Sequence, residues 1–214
     1  MGVLSKHWRC DGKKFGPELS FDAWNCLGLG KSPAEKATKL DYCRSIGSDV
    51  LCINELWNQQ IEAEDFAVSE INKKDRPAGV GLLFSARILP FVRRTGSVGA
   101  RIVWARIRGP TCNIVVVGIY LPHSKRKAKP HAQDVLDKLE DFIKHQVGSH
   151  ECLIILGDLN AQLPRLVPGL TGRWTLSIQG DKGNAPKVMS FMRRCGLVAT
   201  NTFFQPPRNK SVVT

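Results

Sequence analysis

A chain of 214 residues with 43% hydrophobic and 23% charged side chains has the length and composition of one globular domain, which excludes wholesale disorder, collagen-like repeats and a long coiled coil. No apolar run reaches the roughly 18 residues of a membrane helix, and Met1-Gly2-Val3-Leu4-Ser5-Lys6 lacks a secretory apolar block; the expectation is an intracellular protein, nuclear or cytoplasmic, not secreted and without a membrane partner. The 31 Lys and Arg against 19 Asp and Glu leave a net charge of +12, and the seven cysteines, with no Cys-x-x-Cys pair among them, read as free thiols rather than as disulfides or a closed zinc site.

In chain order, residues 1–17 read as a loose N-terminal segment and 18–214 as one domain. An apolar, strand-like stretch, Leu19–Trp24, ends at Asn25. Ser32-Pro33-Ala34-Glu35 has the form of a capping box with Pro at the first helical position; Ala37, Leu40, Cys43 and Ile46 follow at helical spacing, and Gly47 ends the helix. The run Val50–Ile53 then leads into Asn54-Glu55. Phe66–Glu70, Gly79–Ser85, Ile88–Arg93, Val98–Ile107 and Asn113–Leu121 are strand-like. Turn signals at Arg76-Pro77, Arg94-Thr95-Gly96 and Gly109-Pro110 predict an antiparallel meander. A second helix starts at Pro130, carries Val135, Leu136, Leu139, Phe142, Ile143 and Val147 on one face, and stops near Gly148. It feeds the run Cys152–Leu156, which ends in Gly157-Asp158-Leu159-Asn160. Pro186 opens a third helix that Gly196 closes, and Leu197-Val198-Ala199 leads to Thr200-Asn201-Thr202. Helix–strand units plus a meander predict an α/β sandwich of mixed sheets whose faces helices cover.

The charge is regional. From Arg76 to Gln133 there is no acidic residue, while 11 Lys and Arg fall in that stretch, the densest cluster being Lys125, Arg126, Lys127 and Lys129. Such a stretch is either a solvated basic face or a surface for a polyanion, most often nucleic acid.

Asn25, Glu55, and Asp158 with Asn160 all stand just past the ends of apolar strands, where sheet proteins place ligands. Each one alone is equally a turn former. Together they offer hard oxygen ligands with few charges, the set that Mg²⁺ or Mn²⁺ prefers. The strand Ile114–Leu121 ends in Tyr120-Leu121-Pro122-His123, beside the basic cluster, where a phenol and an imidazole can hydrogen-bond a phosphate; a half-buried core Tyr and a solvated loop His are the plain alternatives.

In order, these segments resemble the endonuclease/exonuclease/phosphatase superfamily: Asn25 in Ala23-Trp24-Asn25-Cys26-Leu27-Gly28, Glu55 in Asp49-Val50-Leu51-Cys52-Ile53-Asn54-Glu55, Gly79–Ser85, Tyr120-Leu121-Pro122-His123, and Ile154–Asn160. Gly172-Arg173-Trp174 and Leu197–Phe204 look like the endonuclease domains of non-LTR (LINE-type) retrotransposons, relatives of apurinic endonucleases. The resemblance implies a four-layer α/β sandwich with two mixed sheets flanked by helices, and metal-dependent cleavage of a phosphodiester in DNA. It implies that Glu55 holds the Mg²⁺ or Mn²⁺ with Asn25 beside it, that Asp158 aims or activates the attacking water, and that Asn160 positions Asp158 and the phosphate. Tyr120 and His123 would contact the scissile phosphate, and Lys125, Arg126, Lys127, Lys129, Arg173 and Asn201 the nucleic acid.

Two departures accompany the resemblance. Leu27 stands where some members carry a polar residue that supports the metal through water. The family's closing strands and its Ser-Asp-His fall past Thr214, so the expectation is a domain incomplete at its C-terminus, either an active nuclease cut short or an inactive remnant that still binds nucleic acid. A phosphodiesterase of the same superfamily acting on inositol phosphates or lipids is the other alternative, against which stand Gly172-Arg173-Trp174, Thr200-Asn201-Thr202 and the breadth of the basic region.

Overall fold

A computed structural model describes residues 2–6, 19–57, 59, 61–72, 78–109, 112–124, 130–174 and 182–204, the backbone alone for 2–6 and 182. The elements are β1 (Gly2–Lys6), β2 (Phe21–Asn25), α1 (Pro33–Ser45), β3 (Val50–Asn54), β4 (Phe66–Val68), β5 (Val80–Phe84), β6 (Val92–Ser97), β7 (Ile102–Arg108), β8 (Asn113–Tyr120), α2 (Ala132–Gln146), β9 (Glu151–Asp158), β10 (Ala161–Gln162), β11 (Lys182–Gly183), α3 (Ala185–Cys195) and β12 (Leu197–Ala199). Six strands form one mixed sheet in the order β12-β1-β9-β8-β7-β6, four form a second in the order β2-β3-β5-β4, and β10 and β11 make a small ribbon. The two sheets pack face to face, with α1 outside the smaller and α2 and α3 outside the larger, which is the four-layer sandwich that the sequence implies.

Local chemistry accounts for the helices. Ser32 caps α1 by accepting from the Glu35 N–H at 3.1 Å, the Glu35 carboxylate returns to the Ser32 N–H, and Pro33 occupies the first turn. α2 begins at Ala132 rather than at Pro130, because His131 is extended and its N–H donates to the Asp134 side chain at 2.9 Å. α3 ends on Gly196 in the left-handed region (φ 63°). β3 is buried along its whole length, with α1 on one face and the larger sheet on the other, which is why it reads as an unbroken apolar run.

Four expectations are corrected. Gly2–Lys6 is not a loose start but a strand, antiparallel to both β9 and β12. The predicted meander divides: β4 and β5 pair in the smaller sheet, while β6, β7 and β8 form the meander of the larger. Its first hairpin turns between Ser97 and Ile102, so Arg94-Thr95-Gly96 lies within β6, where Gly96 leaves room for the Trp104 indole across the pair. Before it, Ile88–Arg93 is a 3₁₀ turn (Leu89–Phe91) followed by the start of β6, since Pro90 cannot donate to a ladder. Arg76-Pro77 lies outside the described residues. Cys26, Cys43, Cys52, Cys112, Cys152 and Cys195 are free thiols, and among the described residues no helix is long and apolar enough to cross a membrane.

Both sheets are tied to one another and to their own edges by buried polar groups. Asn54, fully buried, donates from Nδ2 to the Ile119 carbonyl at 2.9 Å and so bridges β3 to β8. At Gly118 the sheets lie close together, since a Cβ there would stand 3.0 Å from Cys52 Sγ and 3.1 Å from Val80 of the smaller sheet. At the opposite end of β3, the buried Asp49 carboxylate accepts from the Ser20 N–H at 2.8 Å, from the Ser85 hydroxyl at 3.2 Å and from the Arg87 guanidinium, joining the start of β3 to the end of β5. Burial pushes the Asp49 carboxyl up, yet Arg87 and Ser20 together hold it below the usual carboxylate range. A depressed folded value gives stability that is fully present above the unfolded value near pH 3.9 and is lost as pH falls through the lower, folded value. Asp49→Ala should therefore lower stability by about 2 kcal/mol at pH 7 and by much less at pH 3, as read from urea midpoints at the two pH values.

Candidate active site

The strand ends converge. β2 and β3 run parallel in register, so Asn25 and Asn54 are paired, and β8 and β9 run parallel with Tyr120 opposite Asp158. All four strands therefore deliver their carboxyl ends to one side of the sandwich, at the seam between the sheets.

Asn25 is the hub. Its Nδ2 donates to Glu55 Oε1 at 2.9 Å and to Asp158 Oδ2 at 3.1 Å, which brings the two carboxylates within about 6 Å of one another although one belongs to each sheet. The Asn25 oxygen is held by the Leu27 N–H at 3.1 Å, so the amide presents its nitrogen to the carboxylates. Leu27 itself points outward, 66% exposed, and what it gives the site is that backbone N–H. Tyr120 donates its hydroxyl to Glu55 Oε1 at 2.7 Å. Burial, and then the bond to Glu55, hold the phenol well above the ordinary tyrosine value, so it keeps its proton and acts as a hydrogen-bond donor to Glu55. The Asn160 N–H holds Asp158 Oδ1 at 2.9 Å, and Asn160 Nδ2 donates to the Leu121 carbonyl at 2.7 Å, which ties the loop after β9 to the loop after β8.

Of the residues expected at the site, the structure thus brings together Asn25, Glu55, Tyr120, Asp158 and Asn160. His123 is exposed, three residues past Tyr120. Arg173 is exposed and Asn201 half-buried on a separate clasp, in which the Gly172 N–H donates to Thr202 Oγ1 at 2.7 Å and the Trp174 N–H to the Thr202 carbonyl at 2.9 Å. Lys125, Arg126, Lys127 and Lys129 lie outside the described residues. The acid-free stretch is not one open face: Arg87 pairs with Asp49, Arg106 with Glu151 at 2.7 Å, and Arg101 is buried under Tyr120.

Three positioning residues escaped the sequence reading. Arg101, only 3% exposed, stacks its guanidinium 4.9 Å from the Tyr120 ring centre and donates to the Tyr120 carbonyl at 3.3 Å. Asn184, fully buried, donates to the carbonyls of Pro122 (2.9 Å) and Leu159 (3.1 Å), bracing the loops after β8 and β9; in the sequence it looks like any residue before a helix. Gly157 has a φ of 142°, and a Cβ there would collide with the Ile119 carbonyl; the Gly-Asp-x-Asn motif was its signal.

The arrangement suits a hard divalent cation bound by few charges. Glu55 Oε2 accepts no hydrogen bond from the described residues; among them no group of three or more His, Cys, Asp or Glu gathers as a cage made of protein ligands alone would require, so Glu55 would hold such a cation together with water and substrate oxygens. Thiol chemistry is excluded here, since burial pushes Cys26 up to about 11 and Cys52 up to about 12, leaving both protonated. Gly157→Ala should cost at least about 3 kcal/mol, since it adds a clash to a backbone that only glycine adopts readily; a urea midpoint close to that of the parent chain would refute the packing described.

Comparison with known proteins identifies the family and the fold. The model of the Endonuclease/Exonuclease/phosphatase family matches residues 23–210. Craniofacial development protein 2 of Bos taurus is 27% identical over 198 residues, covering 86% of this chain and 32% of that protein. Its counterpart in Tragulus javanicus is 26% identical over 198 residues, covering 86% and 33%. The chain thus spans about a third of the length of these curated relatives. Among solved structures, the endonuclease domain of TRAS1, a telomere-specific non-LTR retrotransposon, superposes with a TM-score of 0.51 at 14% identity, over 83% of this chain and 71% of that one. An AP endonuclease from Leishmania major does so with a TM-score of 0.52 at 16% identity, over 83% and 66%. Both likenesses establish the fold.

Proposed function

This chain belongs to the endonuclease/exonuclease/phosphatase family, and from that premise we propose that it is a divalent-metal-dependent phosphodiesterase that nicks DNA, of the kind a retrotransposon uses. The observation that carries the reading is the single Asn25 amide holding two carboxylates from opposite sheets at the strand ends, with a protonated tyrosine on one of them.

Glu55, with one oxygen engaged by Asn25 and Tyr120, offers the other to a Mg²⁺ or Mn²⁺, which when bound supplies charge neutralisation on the phosphate oxygens. Asp158 is held at both oxygens, by Asn160 and by Asn25, and each retains a lone pair for a water, so its carboxylate aims the attacking water and accepts its proton. Tyr120 keeps its proton and holds Glu55 in place. His123, exposed three residues beyond it, is the candidate donor to a phosphate oxygen. Support for a retrotransposon origin comes from Gly172-Arg173-Trp174 and Thr200–Phe204, the two segments joined by the clasp, and from the likeness of fold to the TRAS1 domain.

Nicking of supercoiled plasmid by the purified chain should require Mg²⁺ or Mn²⁺. It should fall at least about 100-fold in Asp158→Asn and in Glu55→Gln, with melting temperatures unchanged. Undiminished nicking by Asp158→Asn would overturn the mechanism. DNA binding should weaken steeply with salt, and replacing Lys125, Arg126, Lys127 and Lys129 by Ala should flatten the log–log slope by up to about 0.9 for each phosphate that is no longer neutralised. An unchanged slope would remove that loop from the interface.

A further inference from the structure

Two large apolar side chains stand exposed at the lip of the carboxylate site, each two residues past one of its members: Leu27 after Asn25, 66% exposed, and Trp57 after Glu55, 43% exposed. Both have left-handed backbone, φ 49° and 54°, as does Glu55 itself at 59°. The succession sorts three neighbours in three directions. Glu55 faces the cleft, Leu56 is fully buried in the core against α1, and the Trp57 indole is left in water. Left-handed backbone at non-glycine residues costs conformational energy, and here its result is a ring outside the core.

The ring is also seated. One face lies on Gly28, where a Cβ would come within 2.5 Å of Cε3 and 2.7 Å of Cδ2, so only glycine admits the indole flat. The loop beneath is fastened by the Gly28 N–H on the Glu55 carbonyl at 2.8 Å and by the Cys26 N–H on the Asn54 carbonyl at 3.1 Å. Lys39 from α1 donates to the carbonyls of Cys26 and Gly28, and Gln59 to that of Gly30. Trp57 is thus a rigid aromatic plane, fixed from below and adjoining the residue that carries the site's outward carboxylate.

We propose that Trp57 is a stacking platform for one unpaired nucleobase, that of a nucleotide next to the phosphodiester being cut, with Leu27 extending the apolar surface. The inference rests on the nucleic-acid reading of the site and adds that the strand is engaged with a base out of its stack. The occupant is argued from place and charge. A base adjoining a phosphate cut at Glu55 and Asp158 lies within one nucleotide of Trp57, two residues past Glu55; the chain carries a net charge of +12, and aromatic planes combined with positive charge are how single strands are held without sequence preference.

The test uses the full chain in EDTA, where no cleavage occurs, with a short single-stranded DNA oligonucleotide and, as control, a backbone of the same length built only of abasic spacers. Trp57→Ala and Trp57→Leu should each bind the oligonucleotide about tenfold more weakly than the parent. Trp57→Phe should stay within about threefold, and all four proteins should bind the abasic backbone alike. In the parent chain, 2-aminopurine walked along the oligonucleotide should be quenched at one position, a readout that needs no variant. Parent-like binding by Trp57→Leu, an equal loss on the abasic backbone, or no quenching at any position would overturn the platform, the last leaving Trp57 to an apolar protein partner. Binding with the expected pattern by a chain that fails to nick plasmid would refute the nuclease reading and leave the platform standing.

Discussion

Two carboxylates held on one amide nitrogen, 2.9 and 3.1 Å from it, set the terms for the rest of the molecule. Left in an apolar cleft without donors, the pair would repel; the Asn25 nitrogen between them, the Tyr120 hydroxyl on one and the Asn160 N–H on the other supply what they need. Glu55 comes from the smaller sheet and Asp158 from the larger, so the amide can span them only if the sheets meet at a fixed distance. That distance is set by what lies behind the site: Gly118 lets Cys52 and Val80 approach, and Asn54 fastens β3 to the Ile119 carbonyl. The seam is therefore built in layers, apolar closeness first, a buried neutral hydrogen bond next, and charge only at the solvent end.

Charge follows the same division of labour. The acid-free stretch looks uniform in sequence, yet its arginines have separate employments. Arg87 holds Asp49 at the foot of β3, Arg106 pairs with Glu151 at the start of β9, and Arg101 lies under the Tyr120 ring. The exposed members, Arg93, Arg94 and Arg108, lie on β6 and β7, with Arg94 set 5.5 Å over Trp104. A positive run is thus a poor measure of a binding face until the acids that it meets from other parts of the chain are known.

That distinction explains what was legible. Glu55 and Asp158 could be read because each stands one residue past an uninterrupted apolar run, and such a run betrays an interior strand whose chain meets polar surroundings just beyond its end. The capping box at Ser32 and the glycine stop at Gly196 are local and were equally plain. Gly2–Lys6 was not, because a strand with Ser and Lys in it owes its place to pairing with β9 and β12, which are distant in sequence. Arg101 and Asn184 were hidden for a related reason: each acts on backbone carbonyls of other segments, 19 and 62 residues away at the furthest, and a carbonyl leaves no mark in a sequence.

Backbone strain gathers where the chemistry is proposed. Of the five non-glycine residues with positive φ among those described, Leu27, Glu55, Trp57 and Asn160 surround the carboxylates, and only Leu166 lies elsewhere. Each such residue costs on the order of 1–3 kcal/mol unless its surroundings compel it, and here they do. Leu56 is anchored in the core between Glu55 and Trp57, the Glu55 carbonyl accepts from Gly28, and Asn160 is bonded through its N–H and its side chain to two different strand ends. A turn built for economy would place glycine at these positions, but a glycine at 55 or 160 could carry neither a carboxylate nor an amide into the cleft. The strain is therefore the direct consequence of demanding both a sharp exit from the strand and a functional side chain at the same residue.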